Sequence, residues 1–167
     1  METTELTIRL ANAADVPALV ELRIANAEAH VALDPDTYRV PARDVVARHF
    51  AAALAEKASQ DAVFVAETPE GRVVGLVEVL RHPGPPEHQI LRPEPSAEVH
   101  TVVLGDVRGG GTGAALLAAA QRWATGQGIR YLAAGIHHRN AGAVRFYARA
   151  GFGDAGLRLV KRLGNAS

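Results

Sequence analysis

Apolar positions in this 167-residue chain alternate between short β-type runs and stripes at helical spacing. Residues 6–10 read as a strand. Val16, Leu19, Val20 and Ile24 then recur on one helical face, with Asp15 placed to cap that helix and Pro17 tolerated in its first turn. Residues 33–40 are broken by Pro35 and read as a loop. A second helix is expected from about Pro41 to Lys57, with Val45, Val46, His49, Phe50 and Leu54 on one side. Residues 62–67 and 72–80 are rich in valine and flank the turn signal Pro69-Glu70-Gly71, which predicts a hairpin. Five prolines make residues 82–96 a loop. The second half alternates: a β-branched strand over 98–104, a helix over 113–125, a strand over 131–136 and a helix over 141–150 stopped by Gly151. A last strand is expected over 157–163. The order β-α-α-β-β-β-α-β-α-β predicts an α/β (α+β) domain, a mixed sheet with helices on both faces, and the length suits one domain over residues 1–167.

Composition narrows the function. An apolar fraction of 48% argues against a disordered chain, and the absence of cysteine excludes disulfides, thiolate metal sites and a cysteine nucleophile. Residues 1–14 carry no basic-then-apolar leader, and no apolar run reaches the roughly 18 residues needed to cross a bilayer. The expectation is a soluble, cytoplasmic protein with no membrane partner. Net charge is zero, but its distribution is uneven. Between Val107 and Gly153 there is no Asp or Glu, while Arg108, Arg122, Arg130, Arg139, Arg145 and Arg149 all fall there. Such a cationic third marks an anion site or a solvated basic face. A nucleic-acid binder is disfavoured, because neither interleaved aromatics nor a reading helix is present.

The chemistry concentrates where a strand runs into Arg108-Gly109-Gly110-Gly111-Thr112-Gly113 and then a helix. At such a junction free backbone N–H groups and the positive end of the helix dipole face one point, and glycines let an anion approach closely. The segment asks for a pyrophosphate. A P-loop is excluded, since Ala114 and Ala115 follow Gly113 where Lys and Ser or Thr are needed. Gly109, Gly111 and Ala114 formally match a dinucleotide fingerprint, but no acidic residue follows before Asp154, far beyond the required spacing of about 20.

The loop resembles the R-G-x-G-[IVT]-G acyl-CoA motif of the GNAT superfamily of N-acetyltransferases. Asn140 to Phe152 is similar to that family's N-x-x-A-x-x-[FL]-Y-x-x-x-G-F segment, one helix and one strand downstream. The resemblance covers residues 62–152. It implies a GNAT-like, mainly antiparallel sheet that splays between the Glu98 and Tyr131 strands to admit acetyl-CoA. It further implies backbone pairing of Val102 and Val103 with the pantetheine arm. Arg108, Gly109, Gly110, Gly111, Thr112, Gly113 and Ala114 would hold the pyrophosphate, and Asn140 would contact the cofactor. Tyr147 would be the acid for the departing thiolate. Family members are often dimers, so a homodimer lies within the implied range.

Ordinary structural roles stand beside these. Asn140 can cap its helix and Tyr147 can simply pack. Glu98 and His100, two apart on a strand, share a face, and either suits a base that takes a proton from an attacking amine. Adjacent strand residues point apart, so His137 and His138 do not form a metal pair, and no metal is expected. Trp123 reads as core. Asp34, Asp36 and Tyr38 lie where the family forms its acceptor wall. The expected activity is transfer of an acetyl or other acyl group to a primary amine of a small molecule, peptide or protein by direct attack. A non-catalytic acyl-CoA-binding or sensor module is the alternative.

Overall fold

The computed structural model describes residues 5–55 and 60–164. Strand β1 (Thr7–Leu10) leads into helices α1 (Val16–Leu33) and α2 (Arg43–Ala55). Strands β2 (Ala62–Glu67), β3 (Val73–Arg81) and β4 (Ser96–Val103) follow, then α3 (Thr112–Gly126), β5 (Tyr131–Ala133) and α4 (Ala141–Arg149). The part of the expected second helix at Lys57 lies outside the described residues.

The strands form one sheet in the order β1-β2-β3-β4-β5. The first three pairings are antiparallel and the last, β4 with β5, is parallel. That parallel ladder holds three positions, from Ser96↔Tyr131 to Glu98↔Ala133. Beyond it β4 continues to Val103 without β5 beside it, which is the expected splay.

The sheet separates two apolar layers. On one face Leu19, Leu22 and Ile24 of α1 and Val46 and Phe50 of α2 cover Val65, Leu76 and Val102. On the other, Leu116, Leu117 and Ala120 of α3, with Tyr147 of α4, cover Val77, Val79, Ala97 and Val99. Trp123 packs against this second layer as expected. Helix α3 lies close to the strands because Gly75 has no side chain. A Cβ there would stand 2.9 Å from Leu116 Cδ1 and 3.1 Å from the Val102 carbonyl oxygen.

Four local expectations are corrected. Asp15 caps no helix with its side chain; Asn12 caps the turn before α1, and Asp15 instead bonds Arg9 and the Asn12 amide. On α2, Val45 and His49 are exposed while Val46 and Phe50 are buried, so the apolar stripe is narrower than predicted. Strand β5 stops at Ala133 rather than 136, because past that point it leaves β4. Residues 157–163 form no strand: the chain after α4 stays off the sheet, with Leu157, Leu159, Val160 and Leu163 exposed.

Candidate functional site

The glycine-rich segment joins β4 to α3. A short turn (Gly105–Val107) follows β4, and Arg108, Gly109, Gly110 and Gly111 then lie exposed at the surface. Gly109 and Gly111 have φ of +87° and +82°, a left-handed backbone that side-chain-bearing residues rarely adopt. A Cβ built on either glycine meets nothing within 4 Å, so the space in front of both is open. The first helical bond of α3 runs from the Ala115 N–H to the Gly111 carbonyl at 3.0 Å, and no side chain caps the helix. The amides of Thr112, Gly113 and Ala114 therefore precede the helical ladder at its positive end, a fitting cradle for a phosphate group. Asp106, the nearest acid, is engaged by Arg72 at 3.0 Å, which holds its carboxyl below the usual range.

The open edge of β4 leads from this cradle to the splay. Leu104 donates to Val74 across the β3 ladder, so antiparallel alternation turns the peptide groups of Val102 toward β3 and those of Val103 and Thr101 away from it. Arg108 Nε donates to the Val103 carbonyl at 3.2 Å, consistent with that direction. Val103 thus offers its backbone to the opening, whereas Val102 contributes its side chain to the α1 layer.

The candidate acid–base groups flank β4 on both faces. Glu98 and His100 share the α1 face as predicted, with His100 Nε2 3.8 Å from Glu98 Oε1. The backbone of Gly135 lies so near that a Cβ there would stand 3.2 Å from Glu98 Oε1, which puts the carboxylate at the point where β5 leaves. Tyr147 reaches the opposite face. It is 7% exposed, sits edge-on to Phe146 and Phe152, and donates its hydroxyl to Thr101 Oγ1 at 3.1 Å. Burial raises its pKa above 10, against a smaller opposing effect of hydrogen bonds from Thr101, so the phenol is protonated at neutral pH. Asn140 caps α4, accepting from the Ala143 amide at 3.1 Å.

Sequence reasoning missed three neighbours. His82 lies 3.6 Å from the second Glu98 oxygen, placed by its backbone bond to Ser96. Glu78 stands opposite His100 in the β3–β4 register, 2% exposed and paired with Arg23 at 2.7 Å. Thr101 is the hydroxyl that meets Tyr147. Glu78 alone left a signal, the single acid in a valine-rich strand. His82 and Thr101 depend on register, which the pattern of residue types does not carry.

The histidine pair departs from expectation. His137 and His138 lie past β5, and their rings stack at 4.4 Å instead of pointing apart. His137 Nε2 meets Asp34 Oδ2 at 2.9 Å, its Nδ1 accepts from the Arg139 amide, and its ring lies edge-on to Tyr38. This ties the loop after α1 to the chain beyond the splay. Thr37 and His137 hold the Asp34 carboxyl below the ordinary range.

The model of the acetyltransferase (GNAT) family matches residues 26–152. A mycothiol acetyltransferase of Saccharomonospora viridis is 37% identical over 93 residues, 55% of this chain and 30% of that protein, so the chain spans well under half of that relative. Among solved structures, a point mutant of the BH1408 protein of Bacillus halodurans superposes with a TM-score of 0.81 at 19% identity, covering 94% of this chain and 99% of that one. The aminoglycoside N-acetyltransferase AAC(6')-Iy in complex with CoA superposes with a TM-score of 0.70 at 22% identity, covering 97% and 96%. At these identities the structural matches show the fold. Among the described residues no helix is long and apolar enough to cross a membrane.

Proposed function

The chain belongs to the acetyltransferase (GNAT) family, and from that premise we propose that it moves an acetyl group from acetyl-CoA to a primary amine by direct attack. One observation carries the reading. The open edge of β4 runs from the uncapped N-terminus of α3 to a splay that has Glu98 and His100 on one face and Tyr147 on the other.

In this reading the amides from Arg108 to Ala114 hold the pyrophosphate, and Val103 with Thr101 pairs its backbone with the pantetheine arm. Val102 supports that edge from the core side, and Asn140 contacts the arm while capping α4. The thioester then lies near Glu98, between the two faces of β4. Glu98 or His100 takes the proton that makes the amine nucleophilic. Nitrogen attacks the carbonyl carbon, the C–S bond breaks, and the thiolate takes a proton from Tyr147, whose hydroxyl turns from Thr101. The acceptor enters from the side walled by the loop of Asp34 and Tyr38, which His137 contacts from the chain past β5.

Release of CoA from acetyl-CoA, measured with a panel of small amines, peptides and aminoglycosides, tests the assignment. Turnover above hydrolysis with at least one amine is expected. Acetyl-CoA binding without turnover on the whole panel would leave a sensor module instead.

A further inference from the structure

Strand alternation gives the α1 face of β3 and β4 a polar end. Leu76 and Val102 belong to the apolar layer beneath α1 and α2. Two residues further along each strand come Glu78 and His100, then Leu80 and Glu98, as register partners. The His82 amide donates to the Ser96 carbonyl at 2.9 Å and carries the ladder one pair further. His82 and Ser96 thus lie on the face of Glu98, next to it along the strands. Arg81 turns to the other side, where its guanidinium donates to the Gln127 carbonyl at 2.8 Å.

The two oxygens of the Glu98 carboxylate meet different surroundings. Oε1 lies toward the splay, beside the Gly135 backbone, with His100 Nε2 at 3.8 Å. Oε2 faces His82 Nε2 at 3.6 Å. The His82 ring is itself held, because its Nδ1 stands 3.2 Å from Ser96 Oγ, and Ser96 pairs with Tyr131 at the start of the parallel ladder. With the serine hydroxyl donating to Nδ1, a neutral ring carries its proton on Nε2, the atom turned to the carboxylate. Beyond His100, Glu78 is already engaged by Arg23 at 2.7 Å. The side chain of Glu98 is 35% exposed, so without His82 water takes Oε2 and leaves the carboxylate free to turn.

We propose that His82 is a positioning residue for the base, holding Oε2 of Glu98 so that Oε1 is presented to the attacking amine. The proposal rests on the reading of Glu98 as the base in acetyl transfer. Taking a proton from an ammonium group needs a carboxylate lone pair aimed at it, and a misplacement of about 1 Å can cost on the order of a hundred-fold in rate. His82 fixes the last torsion of Glu98 from one side, and the missing side chain of Gly135 leaves room for Oε1 on the other. A contact of 3.6 Å is longer than a hydrogen bond, but such contacts are often long before substrate binds and tighten with it. The proton passes from the ammonium nitrogen to Oε1, leaving the nitrogen its lone pair, and then to solvent. His82 gains and loses none.

A double-mutant cycle tests this, with acetyl-CoA and the amine of the panel that turns over fastest. His82→Ala should lower kcat roughly ten-fold with both KM values unchanged. His82→Gln, whose amide N–H reaches the place of Nε2, should restore most of the rate. In the Glu98→Gln background His82→Ala should change the rate by less than about two-fold, because the histidine acts only through the carboxylate. Should His82→Ala fail to fold, Ser96→Ala, which releases the ring, runs the same cycle with a smaller loss. A parent-like rate in His82→Ala overturns the proposal. So does an equal loss in both backgrounds, which would give His82 a role of its own, and so does an effect confined to the amine KM, which would make it an acceptor contact. Failure of the underlying reading looks different: Glu98→Gln then turns over like the parent, or no amine of the panel is acetylated at all, and the proposal falls with it.

Discussion

The hydroxyl of Tyr147 on α4 donates to Thr101 Oγ1 on β4 at 3.1 Å, joining the last helix to the strand beside the splay. If Tyr147 is the acid, Tyr147→Phe lowers turnover by roughly ten-fold to a thousand-fold with acetyl-CoA affinity nearly unchanged. Thr101→Val removes the resting partner and keeps the phenol, so it should retain most activity. Equal losses in both variants would make the bond itself the requirement. Because burial raises the tyrosine pKa, no loss of activity from its ionisation is expected below about pH 10. The sign for stability follows: the unfolded phenol ionises first, so this contribution falls only as pH rises above about 10.

Gly111 should be the most sensitive position of the loop. Gly111→Glu places a carboxylate before the uncapped end of α3 and a side chain on a residue at φ +82°. Acetyl-CoA should raise the melting temperature of the parent by mass action and leave the variant unmoved, while NADH shifts neither. An undiminished acetyl-CoA shift in the variant would falsify the phosphate role of the loop.

The base is tested by paired substitutions. Glu98→Gln keeps the shape beside Gly135 and cannot accept a proton, so turnover at pH 7 should fall roughly a hundred-fold, with partial recovery at higher pH as free amine accumulates. His100→Gln, 3.8 Å from that carboxylate, should cost less. The reverse ranking transfers the role to His100. Near-normal rates in both variants and their combination mean that solvent takes the proton.

Acid stability should depend on Arg9. Its guanidinium bonds Asp15 at 2.8 and 2.9 Å and Glu67 at 3.0 Å, which lowers the Asp15 pKa and raises its own. A carboxylate depressed on folding contributes stability that is complete above the unfolded value near 3.9 and is lost as pH falls through the lower folded value. Asp15→Asn should cost about 1–3 kcal/mol at neutral pH and flatten the slope of urea-unfolding free energy below about pH 4. A variant with the parent's acid slope would show that Asp15 does not set it.

The unit from β4 through α3 was readable because its elements follow intrinsic rules. Helical stripes at Leu116, Leu117 and Ala120 and a glycine-rich turn before them fix a strand–loop–helix unit without help from elsewhere. The shared face of Glu98 and His100 follows from strand alternation alone. What escaped depends on distant partners. Asp15 suits a cap until Arg9 and Glu67 are brought beside it, and His137 finds Asp34 across 103 residues. The strand expected over 157–163 has the right residues, but a strand exists only where a neighbour offers an edge, and that choice is not local.

The separation of the core into two layers has an evolutionary consequence. Phe50 and Leu117 lie on opposite faces of the sheet, in two clusters that have no buried member in common. Losses from truncating each should therefore add within about 0.5 kcal/mol. Mutations that reshape α1, α2 and the loop between them draw on the reserve of one layer and leave the packing beneath α3 and α4 intact. Variation on the first side can accumulate while the second stays unchanged.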